Sequence, residues 1–396
     1  MRPDPATVPD GPSAYLDHAA STPMRPEAVE AMLPFLAGTF ANPSGAHGPS
    51  RSARRALDAA REELASVVGC EPDEVVFTSG GTEADNLAVL GAHAGRPGPV
   101  LASAVEHRAV LAPVRAVGGT VVPVDARGVV DLDAARELAT GARRDGGAVT
   151  LASLMAVNSE TGVVQPVERF CEAVRAVDGD TLVHCDAAQA LAWLDVSAAT
   201  SRCDLVTLSA HKFGGPKGTG ALVVRGRAAR VLRPVAHGGG QERELRPGTQ
   251  NVAGAVAMAV AARLAAAERD ATVRRVAALR DRLADGLADA VGALEPAPRA
   301  LRVAGSCHLR FPGVVGEELV LLADREGVST STGSACASGA REPSHVLVAM
   351  GWDEASAAQA VRISLGATTT AAEVDHALRV VVRAVRQLRL GAVPAR

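Results

Sequence analysis

The chain has 396 residues, 47% of them hydrophobic and 21% charged, with a formal net charge of −3. These values exclude a disordered polymer, a collagen-like chain and a disulfide-stapled miniprotein, and they leave room for two domains with sizeable cores. A near-neutral balance also argues against a polyanion binder, because a phosphate backbone demands a clustered excess of cations, so no direct nucleic-acid contact is expected.

The residues before 15 are rich in Pro, Gly and Asp and read as an arm without an apolar leader. No window approaches the roughly 18 apolar residues of a membrane span, so a cytoplasmic protein with reduced thiols is expected. Leu57, Ala60, Leu64 and Val67 recur at helical spacing over 51–68. Val75-Val76-Phe77 then reads as a buried strand running into Thr78-Ser79-Gly80-Gly81 and a helix start at Thr82. Free N–H groups and a hydroxyl there suit a phosphate; Gly plus Thr is equally an ordinary helix cap. Further apolar runs fall at 100–102, 120–124, 149–157, 181–185, 204–208 and 221–224, spaced by helical patterns. Strands alternating with helices imply an α/β fold with a mainly parallel sheet, whose ligands sit beyond the carboxyl ends of the strands.

Two of those ends carry chemistry. The run at 181–185 ends in Asp186, with Gln189 three residues on. Such an Asp either pairs with a pyridinium nitrogen or caps the next helix, and Gln189 is placed to donate to a ring hydroxyl. The run at 204–208 leads into Ser209, His211 and Lys212 and then a glycine-rich turn. Of 41 basic residues only Lys212 and Lys217 are lysine. Coding bias toward Arg explains plain surface cations, but guanidinium cannot lose its proton and act as an amine nucleophile. Neither Lys is followed by Ser or Thr, so this is no Walker A loop. A lysine at a strand end beside Ser and His suits a Schiff base to an aldehyde whose phosphate those neighbours hold; the alternative is a surface lysine in a loop.

Val273, Val276, Leu279, Leu283, Leu287 and Val291 mark a long amphipathic helix, read as the connector to a second domain. The expected division is a large domain over 15–262 and a small one made of 263–396 plus 1–14. Cys336 lies in the small, polar, glycine-bearing stretch Thr330–Ala340, as a mobile thiol-bearing loop would; an inert buried thiol is the alternative. No C-x-x-C pair occurs among the six cysteines, so no metal centre is expected. Thr370-Ala-Ala-Glu373 has capping-box spacing ahead of a final helix through Val374, Leu378, Val381, Val385 and Leu388.

The run Ser209-Ala-His-Lys212, with Asp186-Ala-Ala-Gln189 upstream, resembles the fold-type I pyridoxal-phosphate enzymes of the class V aminotransferase group. Within that group the chain is similar to the cysteine desulfurases. The motifs that carry this run from Tyr15-Leu-Asp-His-Ala-Ala-Ser-Thr-Pro23, Asn42-Pro-Ser and Thr78-Ser-Gly-Gly-Thr-Glu-Ala-Asp-Asn86 through Glu106-His107 and Asn158-Ser-Glu-Thr-Gly162. They continue in Gly238 to Arg243, Arg246-Pro-Gly-Thr249, Ser334-Ala-Cys336 and Val361-Arg362-Ile-Ser-Leu365.

The resemblance implies a homodimer with a shared active site, using pyridoxal 5'-phosphate to convert L-cysteine to L-alanine. Lys212 would hold the cofactor, Asp186 pair with its ring nitrogen, Gln189 bond its phenolic oxygen, and His107 stack on the ring and move protons. Gly81, Thr82, Ser209 and His211 would bind phosphate, with Thr249 contributed from the neighbouring subunit. Asn158, beside the cofactor, and Arg362 would hold the substrate, and Cys336 would accept the sulfur as a persulfide. His18 and Ser21 depart from the usual residues of their motif. The Cys336 stretch, followed by Glu342-Pro-Ser-His, resembles the iron-sulfur-cluster-assembly type, which implies delivery to an acceptor protein. Selenocysteine lyase on the same scaffold, or a non-catalytic relative, are the alternatives.

Overall fold

The computed structural model describes residues 13–145, 147–333 and 343–391. Residues 1–12 of the N-terminal arm and Cys336 lie outside the described residues, while Ala14, the last residue of the arm, is buried in a strand. The strands in chain order are β1 (Ala14–Tyr15), β2 (Val75–Thr78), β3 (Val100–Ser103), β4 (Thr120–Val122), β5 (Leu151–Ser153) and β6 (Leu182–Asp186), followed by β7 (Leu205–Ser209), β8 (Gly220–Val224), β9 (Ser306–Arg310), β10 (Val328–Ser329) and β11 (Ala360–Ser364). The chain divides into two compact units.

The larger unit comprises 21–158 and 163–269. Its seven-stranded sheet has the order β2-β8-β7-β6-β5-β3-β4, and β8 alone runs against the rest. Every residue of β2, β3 and β5 to β8 is buried. A sheet covered on both faces demands apolar residues on both, which is why these segments read as continuous apolar runs rather than alternating ones. The run at 149–157 forms a strand only over β5, yet beyond it Leu154 N–H donates to His184 O at 3.0 Å and Ala156 N–H to Asp186 O at 2.8 Å. The helix Gly48–Val68 buries Leu57, Ala60 and Leu64, and ends on Gly69 at φ +70°, a left-handed cap that favours glycine.

Among the described residues the smaller unit comprises 13–20, 159–162 and those from 270 on, so residues 15–20 and 159–162, assigned by the sequence reading to the large domain, pack with it, and 263–269, assigned to the small domain, belong to the larger unit. Two short sheets make it: β1 parallel to β10, and β9 antiparallel to β11. The helix Val252–Val291 is one continuous element of 40 residues, beginning well before the apolar stripe that starts at Val273. Alanines dominate its start, and Ala253, Ala255, Ala257, Ala259, Ala261 and Ala262 are buried in the larger unit, so few large side chains mark the period there. The final helix Ala371–Gly391 opens on a formed capping box: Thr370 N–H donates to Glu373 Oε2 at 2.8 Å and Glu373 N–H to Thr370 Oγ1 at 3.2 Å. No helix among the described residues is long and apolar enough to cross a membrane.

Candidate active site

The carboxyl ends of β6 and β7, two adjacent parallel strands, carry Asp186 and Ser209. Asp186 is pinned on three sides: its carbonyl accepts from Ala156, Ala187 N–H donates to Thr207 O at 3.0 Å, and its Oδ1 accepts from Ala188 N–H at 2.9 Å. Burial raises its pKa, while the Ala188 N–H, His107 and Lys212 pull it back. A cationic ring nitrogen would pull in the same direction. Lys212 ends the single 3-10 turn Ala210–Lys212 that follows β7. Asp186, His107 and Lys212 lie close enough for each charge to act on its neighbours.

His107 caps the helix Arg108–Ala116, its Nδ1 accepting from Ala109 N–H at 3.1 Å. The neutral ring therefore carries its proton on Nε2. Protein packed behind the ring lowers its pKa, yet the residue keeps an exposed face. Two residues earlier, Val105 O accepts from Asn158 Nδ2 at 2.9 Å, so buried Asn158 is fixed to the segment that carries His107.

The β2 end leads through Gly80, at φ 151°, into the helix Gly81–Gly95, whose first residues leave N–H groups without intrahelical acceptors. A Cβ on Gly81 would lie 3.4 Å from Ser209 Cβ, so buried Ser209 faces that helix start while Thr82 stands exposed on it. Gly220, opposite Ser209 in the β7–β8 pair, has to be glycine, because a Cβ there would come within 2.6 Å of the Gly80 backbone. His211 Nδ1 lies 3.2 Å from Ser21 Oγ, so the Ser21 departure is a hydrogen-bond partner of a predicted phosphate ligand. Burial, Lys212 and Lys217 lower the His211 pKa to about 4. Lys217 is exposed in the turn before Gly218, near enough to act on His211. Gln189 is half-buried in the turn after Asp186, and Thr249 is exposed.

Arg362 belongs to the smaller unit, buried on β11. Its Nη2 donates to Asp17 at 2.7 Å and its Nη1 to Ser159 O at 3.0 Å, while buried Nε–H has no acceptor among the described residues. The other departure, His18, is held here as a neutral ring with its pKa lowered by burial to about 4, its Nε2 3.4 Å from Thr369 Oγ1.

Sequence reasoning assigned no role to several buried polar groups. Beneath Asp186 lie Asp85 and Glu106, both with pKa values raised well above normal by burial and by Asp186. His184 on β6 contacts Ser153 Oγ at 2.8 Å and Thr207 Oγ1 at 3.1 Å, with Asp85 Oδ1 3.5 Å from Nε2. His184 was signalled as a polar residue inside an otherwise apolar strand run, whereas Asp85, on the helix Gly81–Gly95, and Glu106, beyond β3, carried no such signal. Cys171, Cys185, Cys203 and Cys307 are buried free thiols and Cys70 is half-buried. No cluster of potential metal ligands occurs among the described residues.

One amine, one buried carboxylate and an open-faced imidazole, next to a glycine-opened helix start with Ser209 against it, fit pyridoxal phosphate: the donor set matches an aldehyde, a ring nitrogen, an aromatic face and a phosphate in turn. An α/β unit so equipped defines a class of enzyme that works through that cofactor. The family model for class-V aminotransferases matches residues 14–377. An IscS-like cysteine desulfurase of Mycobacterium tuberculosis is 42% identical, the match covering 96% of this chain and 98% of that protein. A solved NifS-like protein superposes with a TM-score of 0.86 at 35% identity, over 94% of this chain and 99% of its own. A structure described as SspA in complex with cysteine has a TM-score of 0.76 at 31% identity, over 90% and 100%. The chain belongs to the class-V aminotransferase family and, within it, to the pyridoxal-phosphate-dependent cysteine desulfurases.

Proposed function

We propose that this chain, at work in the cytoplasm as a homodimer, takes sulfur from L-cysteine, leaves L-alanine, and passes the sulfur from Cys336 to an acceptor protein of iron-sulfur cluster assembly or thio-modification. What supports the assignment of roles is that Asp186 at the end of β6, Lys212 beyond the end of the neighbouring β7 and His107 beyond β3 of the same sheet act on one another electrostatically. Bound pyridoxal phosphate supplies an electron sink for a carbanion next to the substrate nitrogen.

Lys212 would hold the cofactor through its amine and, as a free amine, would move the Cα proton. Asp186 would pair with the ring nitrogen, and Gln189 would donate to the phenolic oxygen. His107, neutral with its proton on Nε2, would stack on the ring and serve in proton transfer. Gly81, Thr82, Ser209 and His211 hold the phosphate at the helix start, joined by Thr249 of the partner subunit. Asn158 and Arg362 take the substrate, the guanidinium offering its Nε–H to the α-carboxylate. The Cys336 thiolate attacks the substrate sulfur: the new S–S bond makes a persulfide, the Cβ–S bond breaks, and its electron pair ends, with a proton, on the methyl group of alanine.

The test is Cys336→Ser in the cofactor-loaded protein, with alanine measured by amino-acid analysis and the persulfide by peptide mass. Colour should persist, while alanine formation should fall on the order of 10²-fold or more. Alanine formed from cysteine at the wild-type rate without Cys336 would sink the persulfide mechanism.

A further inference from the structure

Glu160 is a buried acid that the reaction as described does not use. It stands in the smaller unit, in the segment 159–162. Its Oε2 accepts from Ser344 Oγ at 2.8 Å, and the same hydroxyl accepts from Leu347 N–H at 3.2 Å, capping the helix His345–Ala349. The other side of its side chain lies against Gly333: a Cβ there would come within 2.5 Å of Glu160 Cγ and 3.0 Å of Cδ. Gly333, at φ +84°, is the last described residue before Cys336, and Ser344 is the second after that stretch. One carboxyl group therefore touches both flanks of the segment carrying Cys336.

The entry flank is also tied to the strand of the substrate-binding arginine. Ser331 N–H donates to Arg362 O at 3.1 Å, Arg362 N–H donates back at 2.6 Å, and Gly333 N–H donates to Ser331 Oγ at 3.1 Å. His308, opposite Arg362 in the β9–β11 pair, sits 3.9 Å from Glu160 Oε1.

We propose that Glu160 is a positioning residue for sulfur transfer: by clasping Gly333 and Ser344 it fixes the two ends of the Cys336 segment relative to Arg362. This rests on the reading of Cys336 as the sulfur acceptor. A thiolate that must meet a substrate sulfur gains rate from having its ends fixed, since misplacing a reacting group by about 1 Å costs on the order of 10²-fold.

The charged and titratable groups around the clasp are Arg362 on β11, His308 on β9 and, one residue beyond Ser344, His345. Burial raises Glu160 to a pKa of about 7 against the opposing pull of Ser344 and Arg362. Burial, Arg362 and Arg302 lower His308 to about 3, so it stays neutral as Glu160 titrates.

The experiment uses the cofactor-loaded protein with Glu160→Ala, Glu160→Gln and Ser344→Ala, and reads steady-state kinetics on cysteine together with the rate of Cys336 alkylation, followed by peptide mass across neutral pH. Glu160→Ala and Ser344→Ala should each lower kcat by about tenfold or more with KM within about twofold, and speed Cys336 alkylation several-fold. Glu160→Gln keeps an oxygen for the Ser344 hydroxyl, so it should retain most of kcat but lose any inflection near neutrality that wild type shows and Cys336 ionisation does not explain. Unchanged kcat and alkylation in Glu160→Ala, or a loss that appears in KM alone, would overturn the proposal. If Glu160→Ala fails to fold, Ser344→Ala decides by the same criteria. Failure of the Cys336 reading is separately visible, because Cys336→Ser would then keep its activity while these variants are silent.

Discussion

Asp186 in the larger unit and Glu160 in the smaller are both buried carboxyls near a cation, and they differ in what that cation is already doing. Asp186 shares its pocket with Asp85 and Glu106, yet of the three it is the one that His107 and Lys212 act on. Lys212 therefore steadies the charge of Asp186, whereas Asp85 and Glu106 have Asp186 itself pushing their pKa values further up. Glu160 has Arg362 close by, but Asp17 holds that guanidinium at 2.7 Å, and burial prevails. Charge in a buried carboxyl thus follows from whether the neighbouring cation is free to serve it, more than from its mere presence. That separates an acid suited to hold a cationic ring from one suited to fasten a hydroxyl.

Lys212→Arg is the hardest blow to the first site. It keeps the positive charge that steadies Asp186 but removes the amine that bonds the aldehyde and moves the proton. Turnover of cysteine should fall by on the order of 10³-fold or more, and the protein should lose the absorbance of the covalently held cofactor. A coloured, active Lys212→Arg protein would place the anchor elsewhere. Arg362→Lys strikes the second site less severely. It leaves a cation that can still pair with Asp17 but removes the fork that reaches Ser159 O and a carboxylate together. kcat/KM for cysteine should drop by about 10- to 100-fold, the equivalent of about 1.5–3 kcal/mol of charged hydrogen bonding. A drop confined to stability, with kinetics intact, would make Arg362 structural.

The fold's large unit was legible because buried parallel strands announce themselves as short apolar runs, and their carboxyl ends named Asp186, Ser209 and Lys212 directly. β8 was legible as a strand but not as the one that runs against the others, since direction is fixed by which partner's backbone it meets and leaves no mark on composition. The smaller unit was less readable. β1 and β10 are two residues each, and the pairing of His308 on β9 with Arg362 on β11 is set by a register of sequence-distant residues. Glu160 lay within a quoted motif, but its task depends on Gly333 and Ser344, more than 170 residues further on. Spacing along a chain carries no trace of such a meeting.

Asp85 offers the mildest and most discriminating change. Its Oδ1 lies 3.5 Å from His184 Nε2, a distance that suggests an ion pair. The surroundings say otherwise: burial lowers His184 to about 3, and burial together with Asp186 and Glu106 raises Asp85, so both shifts favour an uncharged acid beside an uncharged ring. The sign follows from proton binding. An acid whose pKa rises on folding binds more protons folded than unfolded, so its stabilising contribution is whole below the ordinary Asp value of 3.8 and declines as pH rises toward the folded value. Asp85→Asn replaces the protonated acid by a neutral group of the same shape. Urea unfolding should show a change within about 1 kcal/mol near neutrality and a flatter loss of stability on the alkaline side. Were the two groups a true buried ion pair, the same substitution would strand a charged imidazole and cost about 3–5 kcal/mol.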